Sequence, residues 1–348
     1  MKKGSATFSY PGAMTPAGFH SYYREGLSGC THIYILKGGP GCGKSTLMRK
    51  IGLLLQEQGQ DVEYWPCSSD DASLDGVICR SLGLAVVDGT APHTLDPLYP
   101  GAVESLVNMG CWDEAQLRPH LAQMQRLSEE SSSHYAKARQ HLATARQISQ
   151  TEAEANREAL DTQRLSALCR SLTADIFCRS ESVRRFFISV VTPGGEQHIA
   201  EELTEGMQRI LLKGPRGCGQ TELLQTIAQA AQLNGQSCAF GYRAILPQEP
   251  AMLLLNEQKL AIVPAELVQV REDDRIIDCA ALLTGAPTPS RNAAVQKALD
   301  AAAAEIGAAH ALHDELEDIY RPAIDFAAVT RIGDELLTKI QQLIAAQA

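Results

Sequence analysis

Glycines, a lysine and two hydroxyls stand together at Gly38-Gly39-Pro40-Gly41-Cys42-Gly43-Lys44-Ser45-Thr46. The spacing is G-x-x-x-x-G-K-[ST], a loop whose backbone N–H groups converge on a polyanionic phosphate. All nine residues, Gly38 to Thr46, are expected to form the nucleotide-binding set. Lys44 brings a point charge for the outer phosphates, and the Ser45 hydroxyl suits a Mg²⁺ ion. A carboxylate for the same ion is expected at Asp88, which ends the apolar run Leu84-Ala85-Val86-Val87. His93, in Asp88-Gly89-Thr90-Ala91-Pro92-His93, is expected to sense phosphate or handle a proton, with an idle surface histidine as the plain alternative. Lys44, Asp88 and His93 thus make the expected catalytic set, and Ser45 and Asp88 the expected Mg²⁺ ligands. No Glu follows Asp88, so pattern alone assigns no base for an attacking water. The acids of Cys67-Ser68-Ser69-Asp70-Asp71-Ala72-Ser73-Leu74-Asp75-Gly76 either reach the metal or cap a short helix through Asp71 or Ser73.

The elements needed to hold these groups are visible. Ile33-Tyr34-Ile35-Leu36 reads as a strand entering the loop. Leu47, Ile51, Leu54 and Leu55 recur at helical spacing after it, and Gly59 ends the run. Strand, glycine loop and helix put the phosphate site at a helix N-terminus.

The chain is also written twice. A shift of 176 residues lays Lys37-Gly38 on Lys213-Gly214, Gly41-Cys42-Gly43 on Gly217-Cys218-Gly219, and Gly59-Gln60 on Gly235-Gln236. It also lays Leu84-Ala85-Val86-Val87 on Leu260-Ala261-Ile262-Val263. Thr15-Pro16 pairs with Thr192-Pro193 one residue out of step. The copies differ where chemistry is expected: Lys44 becomes Gln220, Ser45 becomes Thr221, Asp88 becomes Pro264 and His93 becomes Gln269. The glycines that shape the turn persist. The predicted fold is α/β: two tandem P-loop NTPase-like domains, each a parallel sheet flanked by helices with a long helical hairpin extension. Residues 1–180 form the first, with its hairpin at about 112–179. Residues 181–348 form a degenerate second, with its hairpin at about 290–348.

A length of 348 residues suits two domains, and the net charge of -10 disfavours nucleic acid as a partner. No apolar run approaches a membrane span, and ten scattered cysteines without a C-x-x-C read as reduced thiols in cytoplasm. Oxidation of Cys42 within the loop would crowd the phosphates, although Cys218 repeats it as a plain small residue.

The chain resembles the bacterial tandem P-loop ATPase-like proteins of unknown function. The resemblance rests on the 36–45 loop, on Cys67-Ser68-Ser69-Asp70 with Ser73-Leu74-Asp75-Gly76-Val77, and on Asp88-Gly89-Thr90-Ala91-Pro92-His93. Asp96-Pro97, Tyr99-Pro100-Gly101-Ala102-Val103 and Trp112-Asp113 extend it. It implies ATP and Mg²⁺ as ligands and ATPase activity, and names no substrate. Both halves of that family commonly carry intact loops, from which Gln220 and Pro264 depart. The reading carried forward is an ATPase whose first half hydrolyses ATP while the second is structural or regulatory, the two forming an intramolecular pseudo-dimer. A nucleotide or small-molecule kinase, with Arg118, Arg126, Arg139 or Arg146 on a helical lid, is the first alternative. A nucleotide-gated scaffold with little turnover is the second, and an unknown protein partner stays open for each reading.

Overall fold

The computed structural model describes residues 3–70, 72–173, 183–233 and 237–347. The expected boundary near 180, the proposed cap Asp71 and the repeat pair Gly235-Gln236 lie outside the described residues. The first half runs β1 (Ala6–Phe8), β2 (Gly12–Thr15), β3 (Gly18–Ser21), α1 (Tyr23–Gly26), β4 (His32–Lys37), α2 (Lys44–Glu57), β5 (Val62–Pro66), β6 (Leu74–Cys79), β7 (Leu84–Asp88) and β8 (Glu104–Asn108). Helices α3 (Glu114–Leu117), α4 (Leu121–Glu158) and α5 (Thr162–Thr173) follow. The second half runs β9 (Val183–Thr192), β10 (Gly195–His198), α6 (Ala200–Leu203), β11 (Gln208–Lys213), α7 (Gln220–Leu233), β12 (Cys238–Arg243), β13 (Leu246–Leu255), β14 (Leu260–Pro264) and β15 (Arg275–Asp278). It closes with α8 (Asn292–Tyr320) and α9 (Phe326–Gln347).

The sheet orders are β1-β5-β6-β7-β4-β8 and β10-β9-β12-β13-β14-β11-β15. Apart from the extra edge strand β10, the second order repeats the first, strand for strand. Register repeats too. Trp65 faces Gly76 and Pro66 faces Leu74 across one irregularity; Gly241 faces Met252 and Tyr242 faces Pro250 across its twin. Both Thr-Pro turns are locked alike, with Thr15 Oγ1 donating to Gly18 O at 2.7 Å and Thr192 Oγ1 to Gly195 O at 3.2 Å.

Both sheets are mixed, which corrects the expected parallel sheet. Strand β6 is antiparallel to β5 and to β7, while β4 is parallel to β7 and β8. The cause is connection length. Cys67–Ser73 and Arg80–Gly83 are too short for the crossover that parallel neighbours need. The expected helix after β5 is therefore absent among the described residues. Asp70 instead folds the turn, accepting Ala72 N–H at 2.8 Å before β6 begins.

The helical stretches also depart from expectation. They are not hairpins closed on themselves. Helix α4 lies antiparallel along α8, with Ser131 near Ala309, His134 bonded to Glu305 at 2.6 Å, and Glu152 accepting Arg291 N–H at 2.8 Å. Ala138, Leu142 and Ala145 meet Leu299, Ala302 and Ile306 in this seam, where small side chains let the axes approach. The shorter helices are then exchanged. Leu165, Cys169 and Leu172 of α5 pack with Leu223, Leu224 and Ile227 of α7. Val329, Leu336 and Ile340 of α9 pack with Leu47, Met48 and Ile51 of α2. Each half thus covers an apolar face of the other. Homologous aspartates start the exchanged helices: Asp161 accepts Gln163 N–H at 3.0 Å and Asp325 accepts Ala328 N–H at 2.9 Å.

The halves also share a buried charge. Glu63 on β5 pairs with Arg184 of β9 and with Arg80 at 3.0 Å, and accepts Ser9 Oγ–H at 2.6 Å and Trp65 Nε1–H at 2.9 Å. Burial opposes its ionisation, but Arg184, Arg80 and these bonds prevail and hold its carboxyl at about 2 against an ordinary 4.5. A depressed carboxyl stabilises the fold above its unfolded value and loses that effect as pH falls through the folded one. Stability should therefore decline from about pH 4.5 toward 2, by on the order of 3 kcal/mol from this group. Urea midpoints across that interval test it: Glu63→Gln should lower stability at neutral pH and flatten the decline.

Candidate functional site

Strand β4 delivers the chain to the glycine loop between its two parallel neighbours, and α2 leaves it. Gly41 (φ 68°) and Gly43 (φ 84°) take left-handed backbone that other residues resist, which turns successive N–H groups inward. The second loop repeats this at Gly217 (φ 84°) and Gly219 (φ 90°).

Most of the expected residues come together. Gly38 to Thr46, Asp88 and His93 all line one cleft of about 670 Å³. Lys44 Nζ donates to Gly38 O at 3.0 Å and Gly39 O at 3.1 Å, and lies 3.7 Å from Asp88 Oδ2. Parallel pairing of Leu36 with Asp88 fixes that carboxylate beside the loop. Thr90 orients it, donating its N–H at 2.8 Å and its hydroxyl at 2.6 Å to Asp88 Oδ1. Ser45 Oγ accepts Leu74 N–H at 3.0 Å. Asp96 is drawn away to Lys37 Nζ, 3.3 Å distant. Cys42 is buried, and that burial pushes its thiol up against the opposing pull of Lys44, which does not favour a reactive thiolate.

His93 is no surface histidine; it is 8% exposed. Its Nε2 lies 3.4 Å from Asp75 Oδ1, and Tyr23 Oη donates to Asp75 Oδ2 at 2.9 Å. Tyr23 stacks on the ring at 5.5 Å, and Phe19 meets it edge-on at 5.0 Å. Burial drives the Asp75 carboxyl up against the pull of His93, and drives the Cys67 and Tyr23 protons up as well.

Sequence reasoning missed the far wall. It comes from the long helices: Ser131 and Tyr135 of α4, and His310, His313 and Glu317 of α8. Gly41 N–H donates to Glu317 Oε1 at 3.0 Å, so a carboxylate of the second half rests on the first half's loop. His313 stands 3.6 Å from Glu317 and Arg321 stands 3.8 Å away. The His313 hydrogen bond, with Gly41 N–H and Arg321, holds the Glu317 carboxyl below the usual range against its burial. His310 reaches Asp70 at 3.5 Å. No sequence signal marks these partners, which lie far along the chain from the loop, those on α8 in the other half.

The second loop is closed. Gln220 Nε2 takes over the carbonyl contact of Lys44, donating to Pro215 O at 2.8 Å, while its Oε1 accepts Cys218 N–H at 3.0 Å. The side chain therefore fills its own amide nest. Pro264 occupies the register of Asp88, paired with Leu212 as Asp88 is with Leu36. Arg216, Arg243, Glu249 and Glu266 crowd the remaining cleft to about 70 Å³, roughly a tenth of the first.

The site defines an α/β protein with mixed sheets and a glycine loop at a helix N-terminus. The matching family model is the nephrocystin 3 N-terminal domain, over residues 19–87. That stretch contains β4, the loop, α2, β5 and β6, and stops one residue before Asp88. Nothing matches among curated proteins or solved structures. No helix among the described residues is long and apolar enough to cross a membrane.

Proposed function

We propose that the first half binds Mg²⁺–ATP at the Gly38–Thr46 loop and hydrolyses it, and that the second half is a degenerate P-loop NTPase-like domain serving as a structural or regulatory partner. The observation that carries this reading is the Glu317 carboxylate on Gly41 N–H at 3.0 Å: the nest already holds an anion, within a cleft roomy enough for a nucleotide. ATP phosphates take the place of that carboxylate. Lys44 then turns its ammonium from the Gly38 and Gly39 carbonyls to the outer phosphates. Ser45 and Asp88 are the residues that would hold Mg²⁺, which supplies charge neutralisation on the phosphates. Thr90 keeps the Asp88 carboxylate aligned for that task.

Phosphate release without any acceptor tests the reading. Steady release that needs Mg²⁺ supports hydrolysis; tight binding without release selects the nucleotide-gated scaffold; release or transfer that waits for an acceptor selects a kinase. The kinase reading draws little support from its proposed arginines. Arg118 and Arg126 pair with Glu114 and Glu130 on the helical surface, and none of Arg118, Arg126, Arg139 and Arg146 lines the cleft.

Asymmetry gives a further expectation. Restoring the lysine alone in the second loop leaves it closed by Arg216 and lacking an acid at Pro264. Gln220→Lys in a Lys44→Ala background should bring no ATP binding measurable by calorimetry. Recovery of binding would show that one cation, rather than cleft volume, separates the two loops.

A further inference from the structure

Behind the glycine loop, Cys67 Sγ, a ring nitrogen of His93 and a carboxylate oxygen of Asp75 all lie within 4.8 Å of one another. Among the described residues this is the one group of three or more such ligands placed to share an ion. We propose that this cluster is a binding site for a borderline-soft divalent transition-metal ion of the zinc or cobalt(II) class, separate from the Mg²⁺ expected at Ser45 and Asp88.

Four observations carry it. The donors are a cysteine sulfur, which gives up its proton to solvent when an ion binds, an imidazole and a carboxylate; that set suits such ions and does not suit Mg²⁺, a cation that takes oxygen ligands. The ligands come from three places in the sheet: the end of β5, the start of β6 and the loop after β7. The turn between β5 and β6 is pinned by Asp70, and Tyr23 Oη holds the second Asp75 oxygen at 2.9 Å, an outer contact of the kind that orients metal ligands. His93 is packed between Tyr23 and Phe19, yet its Nδ1 is buried without a hydrogen-bond partner. The nitrogen that faces the carboxylate is Nε2, 3.4 Å from Asp75 Oδ1, and the rigidly held ring keeps that lone pair for a ligand while its Nδ1 has capacity for a water. Finally, the shift that superposes the two halves, strand register included, puts Arg243, Ala251 and Gln269 at the positions of Cys67, Asp75 and His93. All three ligands are lost together in the half whose glycine loop is closed, although the buried strands around them are kept. A merely structural cluster has no reason to follow the state of the loop.

All three residues line the cleft, so a three-ligand ion presents an open coordination position to it. Metal binding itself does not depend on the ATP reading, and it is tested without nucleotide.

Metal-free protein is titrated with Co²⁺ in excess Mg²⁺, following the near-ultraviolet thiolate-to-cobalt charge-transfer band. The expected result is one saturable band that Mg²⁺ does not suppress and that Zn²⁺ displaces. Cys67→Ser should abolish the band while leaving far-ultraviolet circular dichroism unchanged. His93→Ala, which keeps the thiol, should weaken Co²⁺ binding by more than the about 10- to 100-fold that loss of an outer partner of a metal ligand costs. Cys111→Ser, at a half-buried thiol outside the cleft, should leave the band intact. Absence of the band in the unaltered chain, or its survival in Cys67→Ser, would overturn the proposal whatever the protein does with ATP.

Discussion

Replacing Lys44 by alanine is expected to weaken Mg²⁺–ATP binding by about 10- to 100-fold and to cut phosphate release by about a thousandfold. Lys44 is mostly shielded from solvent, with 12% of its side chain exposed, so water compensates poorly for its loss. The other cations near the loop are engaged elsewhere: Lys37 on Gly89 O, Arg49 on Ala72 O, and Arg321 with Glu317 and Asp318. Charge in the outer phosphates would then meet amides alone. The larger effect falls on turnover because charge builds on the leaving oxygen of the diphosphate as the bond to the terminal phosphoryl group breaks, and an ammonium there offsets it. Titration calorimetry and a continuous phosphate assay measure the two effects separately. Lys44→Ala binding Mg²⁺–ATP unchanged would remove the basis of the nucleotide reading.

Glu317→Ala should act in the opposite direction, tightening Mg²⁺–ATP by about tenfold. A hydrogen bond to a charged acceptor contributes about 1.5–3 kcal/mol, and the nucleotide must displace this one before its phosphate meets Gly41 N–H. The substitution also removes the acid that His313 and Arg321 share, while Arg321 keeps Asp318 at 3.0 Å. Glu317→Gln should fall between, since an amide oxygen still accepts from Gly41 but carries no charge. Calorimetry at low and high salt separates the charge contribution from the hydrogen bond. Unchanged or weaker binding in Glu317→Ala would mean that the carboxylate supports the phosphate cleft rather than competing for it.

Lys44 and Glu317 differ in how close to each of them along the chain their structural partners lie. Lys44 was legible from sequence because its neighbours are local: glycines at fixed offsets encode a backbone shape, and an apolar helix and strand frame it. The duplication was legible for a related reason, since register is preserved along matching strands. Strand β6 was missed although a signal existed. Leu74, Val77, Ile78 and Cys79 are all buried, and only Arg80–Gly83 separates them from the next strand, a gap that admits a hairpin and nothing longer. Acids interleaved at Asp70, Asp71 and Asp75 break up the apolar pattern of that segment. Glu317 had no signal to find. A glutamate on a polar helix reads as a solvated face, and its partner lies 276 residues away. The pairing of His93 with Asp75 was hidden likewise, because two strands and a loop had to fold before they met.

Exchange of α5 and α9 sets what can happen to this molecule over generations. Severing the chain between the copies would leave two fragments, each missing a wall that the other supplies. Were the copies separate and identical subunits, any substitution would strike both grooves at once, and a glutamine in the lysine's place would fill every amide nest of the assembly. Joined end to end, they are free to age separately, so one groove can be surrendered to packing while its sibling keeps its tools.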